Sequence, residues 1–258
     1  MMFWEFLLLL PLLAGSSVCF SALDCTEIPG SLKQIDASNG QVFGVNSAGN
    51  IYTLYGDSWA QLPGYLKHVT VGPAGVWGVN NNNNIYKLVG GSWQQVTGLL
   101  KQIDAGGDMF VSGVNMNDDI FCLSRPAAVS ANGASGLPWV NIAGKLKYYS
   151  CGLWGCWGVN SADDIYFRFD VTPDSCEGSR WEQIPGKLSM IEVGTDGSVY
   201  GVNSAGQVYR RDGITKSNPI GTSWTQMAGF ICKCKHVSYD LGQLWLITDQ
   251  DKIVKCRI

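Results

Sequence analysis

The chain has two histidines, His68 and His236, and they are the first candidates for acid–base chemistry. A catalytic histidine works with a nucleophile or a carboxylate, yet no GxSxG, HExxH or P-loop motif is present. The carboxylates are scattered and are not paired within one loop as in glycosidases. We therefore expect a protein that is not an enzyme and in which both histidines are structural. A glycan-acting enzyme is the weaker alternative.

Pairs of acidic residues are the second group that could carry out a chemical role, namely the binding of a metal ion. Hard oxygen ligands suit Ca²⁺, but none of these pairs has EF-hand spacing, and a solvated turn is the simpler interpretation. We expect no resident cofactor and keep calcium as a hypothesis. The pairs are Asp118 with Asp119, Asp163 with Asp164, and Asp249 with Asp251.

The number and balance of charged residues restrict the kinds of ligand that the protein could bind. Of 258 residues, 18 are Lys or Arg and 21 are Asp or Glu, which gives a net charge of −3. Charged residues make up 15%, against about 25% in an average soluble domain. This composition argues against nucleic-acid binding, which requires a clustered basic surface.

The N-terminal segment has the pattern of a secretory signal peptide. An apolar run over residues 6–14 is too short to cross a membrane and is followed by small residues. We expect residues 1–22 to be removed and residues 23–258 to form one secreted domain. No other long apolar stretch follows, so membrane insertion is not expected. Removal takes away Cys19 and leaves eight cysteines, an even number that predicts a disulfide framework.

The chain is built from a repeat that must position all of these residues. Each unit contains W-x-[QN]-φ-x-G (φ, apolar), then φ-K, then G-V-N, then I-Y, with glycines recurring every 34 to 46 residues. The first motif occurs at Trp59–Gly64, Trp93–Gly98, Trp139–Gly144, Trp181–Gly186 and Trp224–Gly229, with a Trp-less copy at Cys25–Gly30.

Each unit has four short β-type runs separated by turn residues and no helical periodicity. Six such units predict an all-β, six-bladed propeller. The last unit stops after its third strand, and residues 23–28 match a fourth strand. The N-terminal strand should therefore complete blade six and close the ring. The strand-D tryptophans, together with Trp77, Trp157 and Trp245, are expected between blades rather than as ligand platforms.

The repeat frame also predicts four disulfides. Cys25 occupies the Trp position beside the strand that carries Cys256, so a bond between them would lock the ring. Cys151 and Cys156 flank one hairpin turn, and Cys122 and Cys176 lie on adjacent blades. A local Cys232–Cys234 bond is the remaining pairing.

The repeated W-x-Q-φ-P-G, φ-K, G-V-N and I-Y pattern over residues 23–258 resembles the tectonin repeat, and within that family the fish egg lectin group, which is similar to tachylectin-1. The resemblance implies a secreted propeller lectin for sugars such as N-acetylglucosamine or galactose on bacterial surfaces, including lipopolysaccharide, or on glycoproteins. It also implies innate defence of eggs.

The D–A and B–C connections of a propeller share one face, where Asn, Lys and aromatic side chains can contact sugar hydroxyls and rings. Six similar sites would give multivalency. Turn geometry for the asparagines and simple solvation for the lysines remain alternatives. The candidates are Asn46, Asn80, Asn115, Asn160, Asn203, Lys33, Lys67, Lys101, Lys147 and Tyr65. The alternative function is a secreted scaffold that binds proteins, and a homodimer is compatible with the sequence.

Overall fold

The computed structural model describes residues 24–133, 136–230 and 232–258. The predicted signal peptide, residues 1–22 with Cys19, lies outside this part of the chain. The described residues form six four-stranded antiparallel sheets, because β-type runs alternate with Gly- and Asn-rich turns along the sequence. The predicted all-β, six-bladed propeller is confirmed.

Each blade has strands A to D from the innermost to the outermost, in chain order in the first five blades. Blade 1 contains β2 (Gln34–Ser38), β3 (Gln41–Val45), β4 (Asn50–Tyr55) and β5 (Ser58–Tyr65). Blade 2 contains β6 (His68–Gly72), β7 (Gly75–Val79), β8 (Asn84–Val89) and β9 (Ser92–Leu99). Blade 3 contains β10 (Gln102–Asp104), β11 (Val111–Val114), β12 (Asp119–Leu123) and β13 (Val140–Lys145).

The second half of the ring repeats this order. Blade 4 contains β14 (Tyr148–Gly152), β15 (Gly155–Val159), β16 (Asp164–Arg168) and β17 (Trp181–Lys187). Blade 5 contains β18 (Met190–Val193), β19 (Val199–Val202), β20 (Val208–Asp212) and β21 (Ser223–Gln226). Blade 6 contains β22 (Cys234–Asp240), β23 (Gln243–Thr248), β24 (Ile253–Arg257) and β1 (Asp24–Ile28).

The ring closes as the repeat predicts. Strand β1 pairs antiparallel with β24 and completes blade 6, with Cys25 opposite Cys256. These two cysteines form a disulfide. The Cys122–Cys176 and Cys151–Cys156 bonds are also confirmed.

The fourth predicted bond is wrong. Cys234 is a buried free thiol, so Cys232 is not paired with it. Cys234 begins β22 and packs in an apolar cluster with Val237 and Leu246. In extended backbone, residues i and i+2 are about 6.6 Å apart, close to the upper limit for a disulfide. Bridging them would also pull the Cys234 side chain out of the core.

Neighbouring blades bury each other's faces, and the core therefore runs around the ring in separate clusters. One cluster joins Leu32 and Ile35 of blade 1 to Trp245 and Ile253 of blade 6. The predicted burial of Trp77, Trp157 and Trp245 is confirmed, since each is at most 3% exposed. The strand-D tryptophans are only half-buried, and Trp59, Trp181 and Trp224 each face a groove.

The free inner edge of each strand A faces the central channel, where its backbone groups need partners. Side chains of the preceding blade supply them. Gln34 donates from Nε2 to Val69 O (2.8 Å) and accepts from Val69 N (3.0 Å), and Asp36 accepts from Val71 N (2.7 Å). Polar channel residues therefore fasten one blade to the next.

Helix α1 (Arg125–Ser130) lies in the C–D connection of blade 3 and has a proline in its first turn. Among the described residues, no helix is long and apolar enough to span a membrane.

Candidate functional site

A groove opens between blades 3 and 4 on the face that carries the D–A and B–C connections. Its volume is about 330 Å³, near the lower end of the range of about 300–1,000 Å³ for small-molecule sites. The floor is apolar and the rim is polar. The lining residues are Ile120, Gly144, Lys145, Leu146, Asn160, Tyr166 and Trp181.

The same residue types line two further grooves, at equivalent repeat positions. The blade 4–5 groove has a volume of about 270 Å³ and the blade 6–1 groove about 210 Å³. Each combines a Gly-x-Leu connection with Asn, Tyr, Trp and Ile. The blade 4–5 set is Ile165, Gly186, Lys187, Leu188, Asn203, Tyr209 and Trp224. The blade 6–1 set is Ile253, Gly30, Ser31, Leu32, Asn46, Tyr52 and Trp59.

The asparagine of each G-V-N motif has two roles. In blade 4, Asn160 Oδ1 accepts hydrogen bonds from Ala162 N and Asp164 N, both at 2.9 Å, and so holds the B–C turn. Its Nδ2 donates to Asp164 Oδ2 at 3.2 Å. An amide nitrogen carries two hydrogens, so one donor remains for a ligand in the groove. The turn role that the sequence suggested is therefore present, and it leaves spare donor capacity.

The tyrosine of the I-Y motif lies beside this asparagine. Asn80 Nδ2 lies 3.3 Å from Tyr86 Oη in blade 2, and the same pair in blade 1, Asn46 and Tyr52, is 3.5 Å apart. In blade 4, the Tyr166 hydroxyl makes no hydrogen bond to any described residue. Phenol hydroxyls of this kind can both donate to and accept from a ligand.

Each strand-D tryptophan packs against the glycine that ends the preceding blade. Gly144 has φ +128°, and a Cβ there would lie 3.3 Å from Trp181 Nε1. Glycine is therefore required by backbone conformation and by the close approach of the indole. Trp181 Nε1 donates to Ala143 O at 2.7 Å, and the Arg168 guanidinium lies 5.0 Å from its ring centre. These contacts hold the indole as a fixed wall of the groove.

The six junctions are not identical. Blade 2 carries the full set, Asn80, Tyr86 and Trp93, beside Gly64 of blade 1. Blade 3 has Phe121 where blades 1, 2, 4 and 5 have tyrosine. In blade 6, Thr248, Val254 and Cys25 occupy the Asn, Tyr and Trp positions. Four junctions therefore carry the complete Asn, Tyr and Trp set.

The predicted lysines are placed elsewhere. Lys33, Lys67, Lys101 and Lys147 each precede an innermost strand, so they surround the mouth of the central channel rather than the three cavities. Lys67 bonds Asn83, and Lys101 and Lys147 form ion pairs with aspartates. Burial lowers the pKa of Lys33 and of Lys67.

Tyr65 is 70% exposed and follows Gly64, in the position that Lys145 and Lys187 occupy in their grooves. Apart from the asparagines, Tyr65 is the one residue among the predicted sugar-binding candidates that lies at a groove-lining position of the repeat.

Of the six aspartates considered for calcium, all but Asp249 are ion-paired, and Asp251 pairs with Lys235. Asp118 pairs with Lys101 and Asp163 with Lys147, and each has a positive φ in its B–C turn. Two more pairs join Asp119 to Lys145 (2.5 Å) and Asp164 to Lys187 (2.6 Å). Hydrogen bonds from the lysine and then from an asparagine lower the pKa of Asp119 and of Asp164. Five of the six carboxylates thus already have a cationic partner.

One triad of Cys and Glu in the described chain has metal-like spacing, namely Cys122, Cys176 and Glu177. The two cysteines are bonded to each other, so their sulfurs are not thiolate ligands.

The two histidines meet in the central channel at one hydroxyl. Tyr148 Oη lies 3.2 Å from His68 Nε2 and 3.0 Å from His236 Nε2, and it donates to Glu192 Oε1 at 2.5 Å. Burial lowers the pKa of His68 far below its usual value and that of His236 to about 3. Burial thus favours the neutral form of both imidazoles, and neither lines one of the three grooves.

Sequence reasoning assigned the strand-D tryptophans to packing and did not select the I-Y tyrosines. Both belong to the groove walls. The available signal was their repetition in register with the asparagines, since residues that recur together in four of the six units converge at the corresponding junctions.

The fold is a β-propeller in which one set of lining residues recurs at three inter-blade grooves. The chain belongs to the tectonin domain family, whose model matches residues 31–249. It is 54% identical over 235 residues to the fish-egg lectin of Cyprinus carpio, which covers 91% of this chain and 98% of the relative.

Similar solved structures share the fold at low identity. Virginiamycin B lyase from Staphylococcus aureus matches with a TM-score of 0.58 and 16% identity, over 87% of this chain and 79% of the lyase. YCF48 from Cyanidioschyzon merolae matches with a TM-score of 0.51 and 12% identity, over 91% and 98% of the two chains. At these identities the likeness concerns the propeller architecture alone.

Proposed function

We propose that the protein is a multivalent lectin whose inter-blade grooves each bind one sugar ring. The observation that carries the proposal is the recurrence of one lining set, Gly-x-Leu with Asn, Tyr and Trp, at three cavities. The 54% identical relative is named a fish-egg lectin, which supports the ligand class.

The groove chemistry suits a pyranose. The sugar's apolar C–H face packs against the indole of Trp181, and its hydroxyls bond the Asn160 amide, the Tyr166 hydroxyl and the Lys145 ammonium at the rim. Donors outnumber free carboxylates in this groove, because Asp119 and Asp164 are engaged with lysines. Uncharged sugars such as N-acetylglucosamine or galactose match these groups.

The proposed setting is extracellular. Disulfides persist in oxidising compartments, and three join described cysteines. We propose that the secreted protein recognises sugars on bacterial surfaces, including lipopolysaccharide, as part of the innate defence of eggs. Several grooves on one ring would raise the avidity for a repetitive glycan even when each groove binds weakly. A homodimer would double the number of sites.

Binding without turnover fits the electrostatics of the grooves. A glycosidase needs a protonated carboxyl beside the scissile bond, whereas hydrogen bonds lower the pKa of Asp119 and Asp164. Burial raises the pKa of Asp104 to about 8 and that of Glu192 strongly, but both lie in the central channel. The grooves therefore lack a proton donor of the required kind.

A glycan array with the purified protein tests the ligand class. We expect binding to glycans with terminal N-acetylglucosamine or galactose. Failure on every glycan together with binding to a protein bait would favour the scaffold alternative instead, and turnover of an oligosaccharide would revive the enzyme alternative.

A hydroxyl deletion tests the groove. Tyr166→Phe removes a hydroxyl that no described residue bonds, so the fold should keep its stability while sugar affinity falls about 3- to 10-fold at the blade 3–4 groove. Binding is followed by the indole N–H signal of Trp181 in ¹⁵N-tryptophan-labelled protein. Tyr55→Phe, at a residue 71% exposed and outside the grooves, is the matched control and should leave the titration unchanged. Equal titrations for Tyr166→Phe and the control would refute the assignment.

A further inference from the structure

The opposite face of the ring, which carries the A–B and C–D connections, contains a separate cavity of about 380 Å³. It lies at blades 5 and 6, with Trp154 reaching in from the A–B turn of blade 4. None of the groove residues described above lines it. The side chains used below are Trp154, Asp196, Tyr200, Arg210, Asp212 and Tyr239.

Long C–D connections cover the equivalent places on blades 2, 3 and 4. In blade 2, Trp77 and Lys87 are cross-strand partners. Helix α1 of blade 3 covers them, since Lys87 Nζ donates to Ala128 O (2.8 Å) and Val129 O (2.9 Å). The cation and the aromatic ring at this place in blade 2 are thus satisfied by the chain itself.

Blades 3 and 4 are covered in the same way. The C–D connection of blade 4 is tied to Cys122 of blade 3 through Cys176. Ile214 and Ile220, from the C–D connection of blade 5, pack in the cluster of Trp157 in blade 4.

Blade 5 differs from blades 2, 3 and 4 because strands C and D of blade 6 are β24 and β1, which no C–D connection joins. Its cross-strand pair is Tyr200 with Arg210. No C–D connection of the next blade covers this pair, and both residues line the cavity.

Tyr200 is the central group of the cavity. Its side chain is only 3% exposed and lines the cavity, yet its hydroxyl has no hydrogen-bond partner among the described residues. The hydroxyl oxygen opens onto the cavity, so it is available to a ligand there. Burial, and then Tyr239, raises the pKa of Tyr200, so its hydroxyl stays protonated and can donate.

The charged groups around Tyr200 include both hydrogen-bond donors and hydrogen-bond acceptors. Arg210 forms an ion pair with Asp212 Oδ1 at 2.9 Å, and its side chain is 47% exposed, which leaves guanidinium donors open. Asp196 is exposed and uses Oδ1 to accept from Ser198 N at 2.8 Å. Since the arginine is neutralised by its own aspartate, the cavity selects hydroxyl patterns rather than net charge.

An aromatic wall completes the cavity. The rings of Tyr200 and Tyr239 lie 4.9 Å apart and are tilted by 36°. The indole of Trp154 packs on Gly197, where an added Cβ would lie 2.6 Å from its ring, so its position is fixed. A half-buried indole beside paired polar groups suits the apolar and polar sides of a sugar ring.

We propose that this cavity is a second saccharide-binding site, for an uncharged pyranose, on the face opposite the grooves. The sugar packs on Trp154, accepts a hydrogen bond from the Tyr200 hydroxyl, and places neighbouring hydroxyls between Arg210 and Asp196. The ligand class rests on the proposed lectin function, while the site itself rests on the cavity. A single ring with sites on both faces can bridge two glycan-bearing surfaces without dimerising.

The test follows indole N–H signals in the full-length, ¹⁵N-tryptophan-labelled protein during titration with N-acetylglucosamine, galactose, mannose and glucose. Trp154→Phe assigns the Trp154 signal, and Trp224 reports the blade 4–5 groove. We expect at least one sugar to shift Trp154. Tyr200→Phe should weaken that titration about 3- to 10-fold and leave Trp224 unchanged. Tyr209→Phe, the matched variant on the groove side of blade 5, should do the reverse.

The outcomes separate the two proposals. If groove indoles shift and Trp154 does not, the second site is refuted and the lectin function stands. If no indole shifts with any of the four sugars, both fail. An unchanged Trp154 titration in Tyr200→Phe also refutes the site. Arg210→Gln, at an exposed side chain, is the second variant and should weaken the Trp154 titration too.

Discussion

The junction between blades 3 and 4 and the junction between blades 5 and 6 have the same backbone arrangement, but the first forms a groove and the second closes the ring. At the first, Asn160, Tyr166 and Trp181 form a groove. At the second, the equivalent positions hold Thr248, Val254 and Cys25, and Cys25 is bonded to Cys256. The scaffold therefore closes without the Asn, Tyr and Trp set.

Thr248 shows which part of the asparagine's work is structural. Its Oγ1 accepts from Gln250 N at 3.3 Å and from Lys252 N at 3.1 Å. Asn160 Oδ1 accepts from the same two positions of its own turn, Ala162 N and Asp164 N. A hydroxyl thus suffices for the turn. What asparagine adds at the other five junctions is the amide donor, and a donor in a groove is useful for binding.

The largest expected effect is at the blade 5–6 junction. The Cys25–Cys256 bond joins residues 231 apart, and in the loop-entropy model such a link stabilises the fold by about 5 kcal/mol. We expect the double variant Cys25→Ser with Cys256→Ser to lose about that much in the free energy of unfolding, measured by urea denaturation.

The control for this prediction is the bond between Cys151 and Cys156, only 5 residues apart. The same model gives it about 2 kcal/mol, so Cys151→Ser with Cys156→Ser should cost less than half as much. Equal losses for the two double variants would mean that ring closure contributes nothing special.

The central channel extends the comparison between junctions, because every junction borders the channel at its inner end. Burial lowers the pKa of His236 to about 3, against about 6.5 in the unfolded chain. Between these values the unfolded state binds more protons, so the stability present above pH 6.5 is lost as pH falls. The loss for this imidazole is about 1.4 kcal/mol per pH unit.

His236→Gln tests this relation by difference from the native chain. Burial raises the pKa of Glu192, which gives the opposite slope in both proteins and cancels. The variant's stability relative to the native chain should therefore rise by about 1.4 kcal/mol per pH unit from pH 6.5 to 4.5, in thermal or urea unfolding. A difference that does not change with pH would contradict the neutral, buried imidazole.

The repeat explains why so much was predictable. Aligning units assigns every position a strand and a face, and this placed Cys25 beside Cys256 and Cys151 beside Cys156. It failed at Cys232 and Cys234, which precede β22 or begin it, because local spacing does not say which thiol points into the core. The cavity at Tyr200 was also beyond the alignment, since it depends on which blades carry a covering C–D connection.

The lysines show a limit of a different kind. Lys101 and Asp118 lie 17 residues apart, and Lys147 and Asp163 lie 16 apart, at equivalent positions in two blades. Taken singly, the lysines suit sugar hydroxyls and the aspartates suit calcium. Their regular spacing indicates instead that each pair joins strand A to the B–C turn of its own blade.

The smallest expected effect on stability, and the most informative for function, is Asn160→Thr. It copies Thr248, so the turn keeps a capping oxygen and we expect a change in unfolding free energy below about 1 kcal/mol. Asn160→Ala, which loses the cap, should cost about 1 kcal/mol or more. Both variants remove the amide donor, so both should weaken sugar binding at the Trp181 indole by about 3- to 10-fold.

These two substitutions separate the turn role of asparagine from its binding role. If Asn160→Thr binds sugar as well as the native chain does, the donor is not used and the five asparagines are turn residues alone. If it destabilises the fold as much as Asn160→Ala does, threonine does not replace the cap, and Thr248 is accommodated by other features of blade 6. A stable variant with weakened binding would establish that the grooves are more than a by-product of the turn.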